Sequence, residues 1–265
     1  MIQNYLKIAW RNLLRNKITS LINIVGLVIG MAVAMMIGLW VQDELTFNIF
    51  HKDYKQIVQL YLHQTFNGKV GSQVAISQPW GPALRDEYGS DFEHISMASW
   101  NYQHLLAYDD QRLLRDGMAV EPEFPELLSL ELLHGTYEEV LKNPKSILLS
   151  ESTAKALFGD DEAMEKIIKF DTEDDLKVTG VFKDLPENSS FKSTHYYTTW
   201  EYYKKKNDWV IRSQDSWGNH SYQLFAKVKE NTNLDKLSAK IRDVEKRNNA
   251  EGNPEAFLYL SLIHI

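Results

Sequence analysis

A long apolar stretch near the N-terminus is the strongest feature of the hydrophobic pattern. Residues 21–41, LINIVGLVIGMAVAMMIGLWV, carry no charge, and Asn23 is their one strongly polar side chain. At about 1.5 Å per residue, a helix of this length extends roughly 31 Å, which is enough to cross the hydrocarbon core of a bilayer. The pattern therefore predicts a transmembrane helix over residues 18–42.

A cleaved signal peptide is the alternative interpretation of this stretch. Residues 32–34 (Ala-Val-Ala) are similar to a cleavage site. The apolar run nevertheless continues to Val41, whereas the apolar region of a signal peptide has about 7–15 residues. The length of the run favours a membrane anchor.

The segment before the apolar stretch has the pattern of an amphipathic helix. Lys7, Arg11 and Arg15 recur every fourth residue and define a basic face. The apolar residues recur at helical spacing on another face: Ile2, Tyr5, Leu6, Ala9, Trp10, Leu13 and Leu14. We predict that residues 1–17 form a basic amphipathic helix on the cytoplasmic leaflet, with an elbow near residues 16–20. A plain extension of the membrane helix into the cytoplasm is the alternative.

The charges that flank the apolar stretch predict its orientation. Basic residues precede the stretch, whereas Asp43 and Glu44 follow it. Because basic flanks stay in the cytoplasm, we expect a cytoplasmic N-terminus and everything after the helix on the other side. The residues predicted to set the topology and to anchor the chain at the membrane interface are Lys7, Trp10, Arg11, Arg15, Lys17 and Trp40.

Small residues recur along the predicted membrane helix at every fourth position. They are Gly26, Gly30, Ala34 and Gly38. In lipid, a groove of small residues allows another helix backbone to approach closely. We therefore predict that these four residues form a helix-packing face.

The remainder of the chain, residues 43–265, has the mixed pattern of an α+β domain with short elements. Asn67-Gly68 is a strong hairpin signal, and Ser150, Gly159 and Asn233 are placed as helix caps. The predicted strands are 56–66, 69–76, 102–108, 112–120, 130–133, 146–149, 166–170, 176–182, 222–229 and 256–265. The predicted helices are 79–88, 122–128, 151–158 and one that begins after Asn233 and buries Leu234, Leu237, Ile241 and Val244.

Charge and composition exclude several functions. Residues 1–41 hold four of the 29 basic residues and none of the 36 acidic residues, so the outer domain is acidic. This balance argues against a nucleic-acid partner, which would need clustered Lys and Arg. The chain has no cysteine, which excludes disulfides, thiolate metal sites and cysteine nucleophiles.

Catalytic and metal-binding motifs are weak in this sequence. Ser152 and Lys155 have the SxxK spacing of a serine hydrolase, but the companion motifs are absent, and a helix start with a solvated lysine is the favoured interpretation. The acidic residues around 171–175 lack the glycine and the closing glutamate of a calcium loop and are predicted to form a hairpin turn. The histidines show no metal-ligand spacing.

Aromatic residues are concentrated in one short stretch. They are Trp200, Tyr202, Tyr203, Trp209, Trp217 and Tyr222. Such a cluster fits either a buried core or subdomain contact, which we favour, or a surface for a ligand or partner.

Several segments together resemble a known transporter family. They are NYLKIAWRNLLRNK, SLINIVGLVIGMAVAMMI, DELTFNIFHKDYKQIVQL, ISQPWGPAL, SILLSESTAKALFG and VTGVFKDLPENSSF. These segments are similar to permease subunits of the MacB and FtsX type of ABC transporters. The resemblance implies that residues 43–265 are a periplasmic core domain beside the cell inner membrane. It implies a split subdomain of β-α-β units, residues 43–97 and 194–265, with a β-rich subdomain inserted at 98–193.

The resemblance also implies a function and partners. The chain would be a non-catalytic permease component whose periplasmic domain engages cargo or envelope partners during ATP-driven export or mechanotransmission. It would form a homodimer, or a heterodimer with another permease, and it would hold no cofactor, because a separate ABC-type ATPase subunit binds the ATP.

The family pattern includes three further membrane helices after the outer domain, and these are absent from this sequence. We therefore expect the chain to be a fragment of a longer permease. The alternative function is a stand-alone single-pass sensor or binding module that dimerises through the groove of small residues. A membrane-tethered hydrolase has only the SxxK spacing in its favour.

Overall fold

The computed structural model describes residues 2–66, 68–249 and 253–260. The chain divides into two compact units, Met1–Thr46 and Phe47–Ile265. Asn67 of the predicted hairpin turn and residues 261–265 of the predicted last strand lie outside the described residues.

The first unit consists of two helices, α1 (Ile2–Arg15) and α2 (Lys17–Leu45). Asn16 separates them with a ψ of 57°, well away from helical values, so the predicted elbow is a one-residue interruption. Of the described helices, α2 is long and apolar enough to cross a membrane, and none of its residues is buried. We refer to α2 as the candidate membrane helix.

The second unit contains the remaining helices and all the described strands. Its helices are α3 (Trp80–Tyr88), α4 (Phe124–Leu127), α5 (Glu151–Phe158), α6 (Trp200–Lys206), α7 (Asp208–Arg212), α8 (Leu234–Ile241) and α9 (Val244–Asn248). Its strands are β1 (Ile57–Phe66), β2 (Lys69–Gln73), β3 (Phe92–Ala98), β4 (Tyr102–Tyr108), β5 (Gln111–Val120), β6 (Leu132–His134), β7 (Ser146–Ser150), β8 (Ile167–Phe170), β9 (Asp174–Phe182), β10 (Tyr196–Thr199), β11 (Gln223–Val228) and β12 (Glu255–Leu260). The predicted α+β class is confirmed.

Six strands of the second unit close into a ring in the order β10, β7, β9, β8, β4 and β5, because β10 also pairs with β5. An open sheet in the order β3, β11, β1 and β12 continues from the ring, and β2 pairs with the far end of β1. A single pair, Ala98 with Val120, joins the open sheet to the ring.

Helices α3, α8 and α9 cover one face of the open sheet. Their side chains Trp80, Leu84, Leu237, Ile241 and Val244 share a buried core with alternate residues of the strands. This alternation follows from the two-residue period of a strand, which sends neighbouring side chains to opposite faces. A second core, which includes Phe124, Tyr197 and Phe225, takes its residues from both the ring and the open sheet.

Most of the predicted elements are confirmed. The strand predicted at 69–76 ends at Gln73, and β3, β10, α6 and α7 were not predicted. Two further predictions are wrong in detail. The predicted helix after Asn233 ends at Ile241, and Val244 starts a separate helix, because the carbonyl of Arg242 accepts a hydrogen bond from the amide of Ala256 in β12. The acidic turn is shorter than expected. Asp175 pairs with Lys169 across the strands at 2.7 Å, which extends β9 toward the turn.

Candidate functional site: the contact of Asn48 and His51 with the domain

The residues that directly follow the candidate membrane helix are held by buried contacts inside the second unit. Asn48 is fully buried and has a φ of 59°. Asparagine tolerates this left-handed conformation better than most residues with a side chain. The chain can therefore turn at residue 48 while it places a polar side chain in the interior.

Asn48 binds the loop between β9 and β10, residues 183–195. Its backbone amide donates to the carbonyl of Asn188 at 2.8 Å. Its side-chain Nδ2 donates to Ser190 Oγ at 2.8 Å, and its Oδ1 accepts from the Ser190 amide at 2.8 Å. The two partners are 142 residues apart in the sequence, so this contact fixes the start of the second unit to a distant loop.

His51 provides a second anchor three residues later. Its Nδ1 lies 2.6 Å from the carbonyl oxygen of Leu128, so Nδ1 carries the proton and donates. His51 is 2% exposed, and its ring lies perpendicular to the ring of Phe191, with 6.4 Å between the ring centroids. Nε2 has no hydrogen-bond partner in the described part of the chain. Burial therefore lowers the pKa of His51 to about 4.

This pKa predicts a loss of stability in mild acid. The folded-state pKa of His51 lies below the usual 6.5. At pH values between the folded-state and unfolded-state pKa, the unfolded chain therefore binds more protons than the folded chain. The stabilisation is complete above the unfolded-state pKa and is lost as the pH falls toward the folded-state pKa. Between about pH 7 and pH 5, we expect the free energy of unfolding to fall by about 2 kcal/mol through this residue. Urea unfolding in detergent, followed by tryptophan fluorescence at several pH values, measures this fall in the free energy of unfolding.

His51→Gln is the control for this pH dependence. Glutamine retains a side-chain donor but does not titrate, so the variant should lose this part of the pH dependence. An unchanged slope in His51→Gln would contradict the assignment.

The loop that receives Asn48 continues directly into the second core. Phe191 packs edge-on against Phe124 at 5.9 Å and against Phe225 at 5.5 Å, and Phe124 also contacts Tyr197. Tyr197 belongs to the ring and Phe225 to the open sheet. Because packed interiors transmit strain, a displacement at Asn48 has a short path to both sheets.

The same loop also holds the start of α5. The side chain of Asp184 accepts hydrogen bonds from the Ser152 amide at 3.1 Å and from Ser152 Oγ at 2.7 Å, while Ser150 caps the helix at the Thr153 amide. Ser152 therefore serves the helix start, as the favoured interpretation of the SxxK spacing predicts.

Replacing Asp184 by alanine should lower the free energy of unfolding by about 1 kcal/mol, because the variant loses an acceptor at a helix N-terminus. Asp160, which is exposed just past the end of α5, provides the control. Urea unfolding should show a smaller effect for Asp160→Ala, and an equal effect would contradict the capping role.

The structure places all ten residues predicted to act in the membrane within the first unit. Lys7, Trp10, Arg11 and Arg15 lie on α1, and Lys17 begins α2. Gly26, Gly30 and Gly38 have open space where a Cβ would be, Ala34 lies between them on α2, and Trp40 is 64% exposed. Their roles in packing, topology and anchoring stay predictions.

A metal site is not supported by the described residues. Within residues 2–66, 68–249 and 253–260, no three His, Asp or Glu side chains are grouped closely enough to hold a metal ion.

No sequence pattern pairs Asn48 with Ser190. The two residues lie in separate segments, DELTFNIFHKDYKQIVQL and VTGVFKDLPENSSF, that both carry the family resemblance. This shared resemblance was the signal that could have paired them, but their meeting depends on the fold.

The geometry defines a class of protein: a sheet-rich α+β domain that follows a candidate membrane helix and fixes the residues after this helix to its own core. Residues 20–244 match the family described as the MacB-like periplasmic core domain. The chain belongs to this family, which comprises permease-type domains of ABC transporters. No curated protein matches the chain.

Solved structures share this fold at low sequence identity. A domain of a candidate permease protein from Porphyromonas gingivalis has a TM-score of 0.64 and 20% identity over 78% of this chain and 90% of that one. The periplasmic region of MacB from Actinobacillus actinomycetemcomitans has a TM-score of 0.56 and 14% identity over 78% and 92% of the two chains. The extracellular domain of the noncanonic ABC-type transporter YknZ from Gram-positive bacteria has a TM-score of 0.53 and 12% identity over 77% and 99%.

Proposed function

We propose that this chain is a non-catalytic permease component of an ABC transporter of the MacB/FtsX type. Its periplasmic domain engages cargo or envelope partners, and ATP-driven motion of the membrane helix reaches this domain through Asn48. In this proposal the N-terminus is cytoplasmic, and α2 spans the cell inner membrane. The basic α1 lies on the cytoplasmic leaflet.

The hydrogen bonds of Asn48 carry this proposal. A flexible tether between a membrane helix and an outer domain would need no buried polar side chain beside its junction. Here Asn48 follows the end of α2 by three residues, is fully buried, and binds Ser190 through both ends of its amide. A start of the second unit that is buried and hydrogen-bonded in this way suits the transmission of motion into the domain.

The proposal includes partners that the family implies. An ABC-type ATPase subunit binds the ATP, and a second permease copy or a related permease completes a dimer. The glycine-rich face of α2 packs against a neighbouring helix. Within the outer domain, we propose the split subdomain 43–97 and 194–265 with the insert 98–193. The core beneath α3 and α8 supports this division, because its residues come from 58–97 and 200–258, whereas β10 at residues 196–199 lies in the ring with strands of the insert.

The test uses the chain expressed from its native gene in its native cell. An N-terminal affinity tag should recover an ABC ATPase and a second permease copy, which mass spectrometry identifies. Hydrogen–deuterium exchange of the recovered complex should then show that ATP changes the protection of residues 183–195. Asn48→Ala should abolish this change while the ATPase is still recovered.

Asn231→Ala is the matched control, since Asn231 is also left-handed, with a φ of 63°, but is exposed. This variant should respond to ATP like the wild type. Recovery of the tagged chain without any ABC ATPase would refute the family role. A normal response to ATP in Asn48→Ala would refute the path through this residue.

A further inference from the structure

A cavity of about 540 Å³ lies between the strand ring and helices α6 and α7. This volume is in the usual range for a small-molecule site. Strands β4, β5 and β10 supply one wall, and the helices supply the other. Its aromatic lining residues are Tyr102, Phe170, Tyr196, Tyr202, Tyr203 and Trp209.

Two of these rings present substantial area to solvent. Tyr102 is 47% exposed and Trp209 is 39% exposed. Trp209 is held in place by Tyr222, whose ring is nearly parallel at an angle of 5°, and by Tyr203, which meets it edge-on. The ring of Trp209 is therefore fixed before any ligand binds, which lowers the entropic cost of binding.

The floor of the cavity depends on a glycine. A Cβ at Gly117 would collide with the ring of Tyr196, which packs directly against the strand there. The Tyr196 hydroxyl donates to the carbonyl of Tyr102 at 3.2 Å. Gly117 therefore allows the Tyr196 ring to form the floor of the cavity, and any larger residue at position 117 would displace this ring.

The charges around the cavity are mainly negative. The Asp171 carboxylate lines it, accepting from the Leu105 amide at 3.0 Å and lying 2.6 Å from His104 Nδ1. Lys206 is the one Lys or Arg among the lining residues that the structure describes, and Glu173 and Asp174 both bind its amine. An anion would have to displace these carboxylates.

The pKa of a tyrosine in the cavity also indicates a negative electrostatic potential there. Burial raises the pKa of the Tyr196 hydroxyl, and the nearby carboxylates of Asp171 and Asp116 raise it further. Negative potential beside exposed ring faces attracts cations, because the face of an aromatic ring is itself electronegative.

We propose that this cavity binds a small organic cation with an apolar or aromatic body. The rings of Tyr102 and Trp209 contact the apolar body and, through their faces, the cationic group. The Asp171 carboxylate complements the positive charge of the ligand. This proposal does not rest on the mechanical role of Asn48, because equilibrium binding requires neither ATP nor a partner subunit.

The test is isothermal titration calorimetry, in which the probe is titrated into the full chain in a nonionic detergent and empty micelles are the blank. The probe is benzyltrimethylammonium, and its comparators are neutral N-benzylacetamide and anionic phenylacetate. We expect the cation to bind at least about ten-fold more tightly than either comparator. Trp209→Leu, which keeps apolar bulk but removes the ring face, should weaken cation binding by about five-fold.

Matched controls separate the cavity from general adsorption. Tyr259→Leu removes a similarly exposed ring outside the lining residues, and Asp110→Asn removes an exposed carboxylate outside them. Both variants should bind the cation like the wild type, whereas Asp171→Asn should weaken it. If Asp171→Asn does not fold, Tyr102→Leu is used instead and should also weaken cation binding. The backbone carbonyl of residue 102 still accepts the hydrogen bond from the Tyr196 hydroxyl in this variant.

Three results would overturn the proposal. The first is no detectable heat from the cation at millimolar concentration. The second is equal affinity for the cation and the neutral comparator. The third is an equal loss of binding in Tyr259→Leu and Trp209→Leu, which would indicate adsorption to exposed rings in general.

Discussion

Replacing Trp80 by alanine is expected to lower the free energy of unfolding of the second unit by about 5 kcal/mol. Trp80 is fully buried in the core beneath α3 and α8. Its Nε1 donates to Glu245 Oε2 at 2.7 Å, and Glu245 is itself fully buried. The variant therefore loses a large side chain and also leaves one oxygen of a buried carboxylate without its donor. Urea unfolding followed by circular dichroism measures the change.

Trp80→Phe separates these two effects. Phenylalanine keeps most of the buried aromatic area but has no N–H, so we expect a loss of about 2 kcal/mol. Among the residues that the structure describes, the Glu245 carboxylate then keeps the contact of its other oxygen with His220 Nε2, at 2.7 Å. Trp217→Phe is the control, because Trp217 packs edge-on against Trp80 from a partly buried position. Equal losses in Trp80→Phe and Trp217→Phe would show that the hydrogen bond contributes little.

Replacing Asn48 by alanine is expected to lower the free energy of unfolding by about 3 kcal/mol. About 2 kcal/mol comes from the two side-chain hydrogen bonds to Ser190, and about 1 kcal/mol comes from forcing alanine into a left-handed conformation. Because Ser190 itself is exposed, water can replace part of the hydrogen bonding that Ser190 loses in this variant. The measurement is again urea unfolding of the full chain in detergent.

Two further variants divide the effect of Asn48. Asn48→Gly removes the hydrogen bonds but accepts a positive φ, so about 2 kcal/mol should be lost. Asn231→Ala adds the left-handed strain at an exposed position, so about 1 kcal/mol should be lost. If Asn48→Ala were no worse than Asn231→Ala, the contact with Ser190 would not stabilise the domain.

These two predictions concern contacts that sequence reasoning did not find. No sequence pattern indicates a role for Glu245, and Trp80 stands out only as part of a segment similar to the family. Asn48 and Ser190 were likewise parts of two similar segments. Both pairs are distant in sequence, 165 residues for Trp80 and Glu245 and 142 for Asn48 and Ser190. Hydrophobic periodicity and capping signals act over a few residues, so they carry no information about such pairs.

The stretch of aromatic residues from Trp200 to Tyr222 shows the same limit within a short segment. A core and a ligand surface were both open from the sequence. In the structure, Trp200, Tyr202 and Tyr222 are buried, whereas Trp209 is exposed at the cavity. Ring size predicts that such residues bury area, but only the packing of α6 and α7 decides which ring faces remain accessible.

The sequence by itself determined the elements whose causes are local. Continuous apolar character is sufficient for the candidate membrane helix, and the caps Ser150 and Asn233 mark helix starts that the structure confirms. The tertiary structure alone decided how β10 closes the ring, which residues receive Asn48, and where the cavity opens. The physical reason is that a cap or an apolar run lowers the free energy of its own segment, whereas a long-range contact exists only after the chain between its partners has folded.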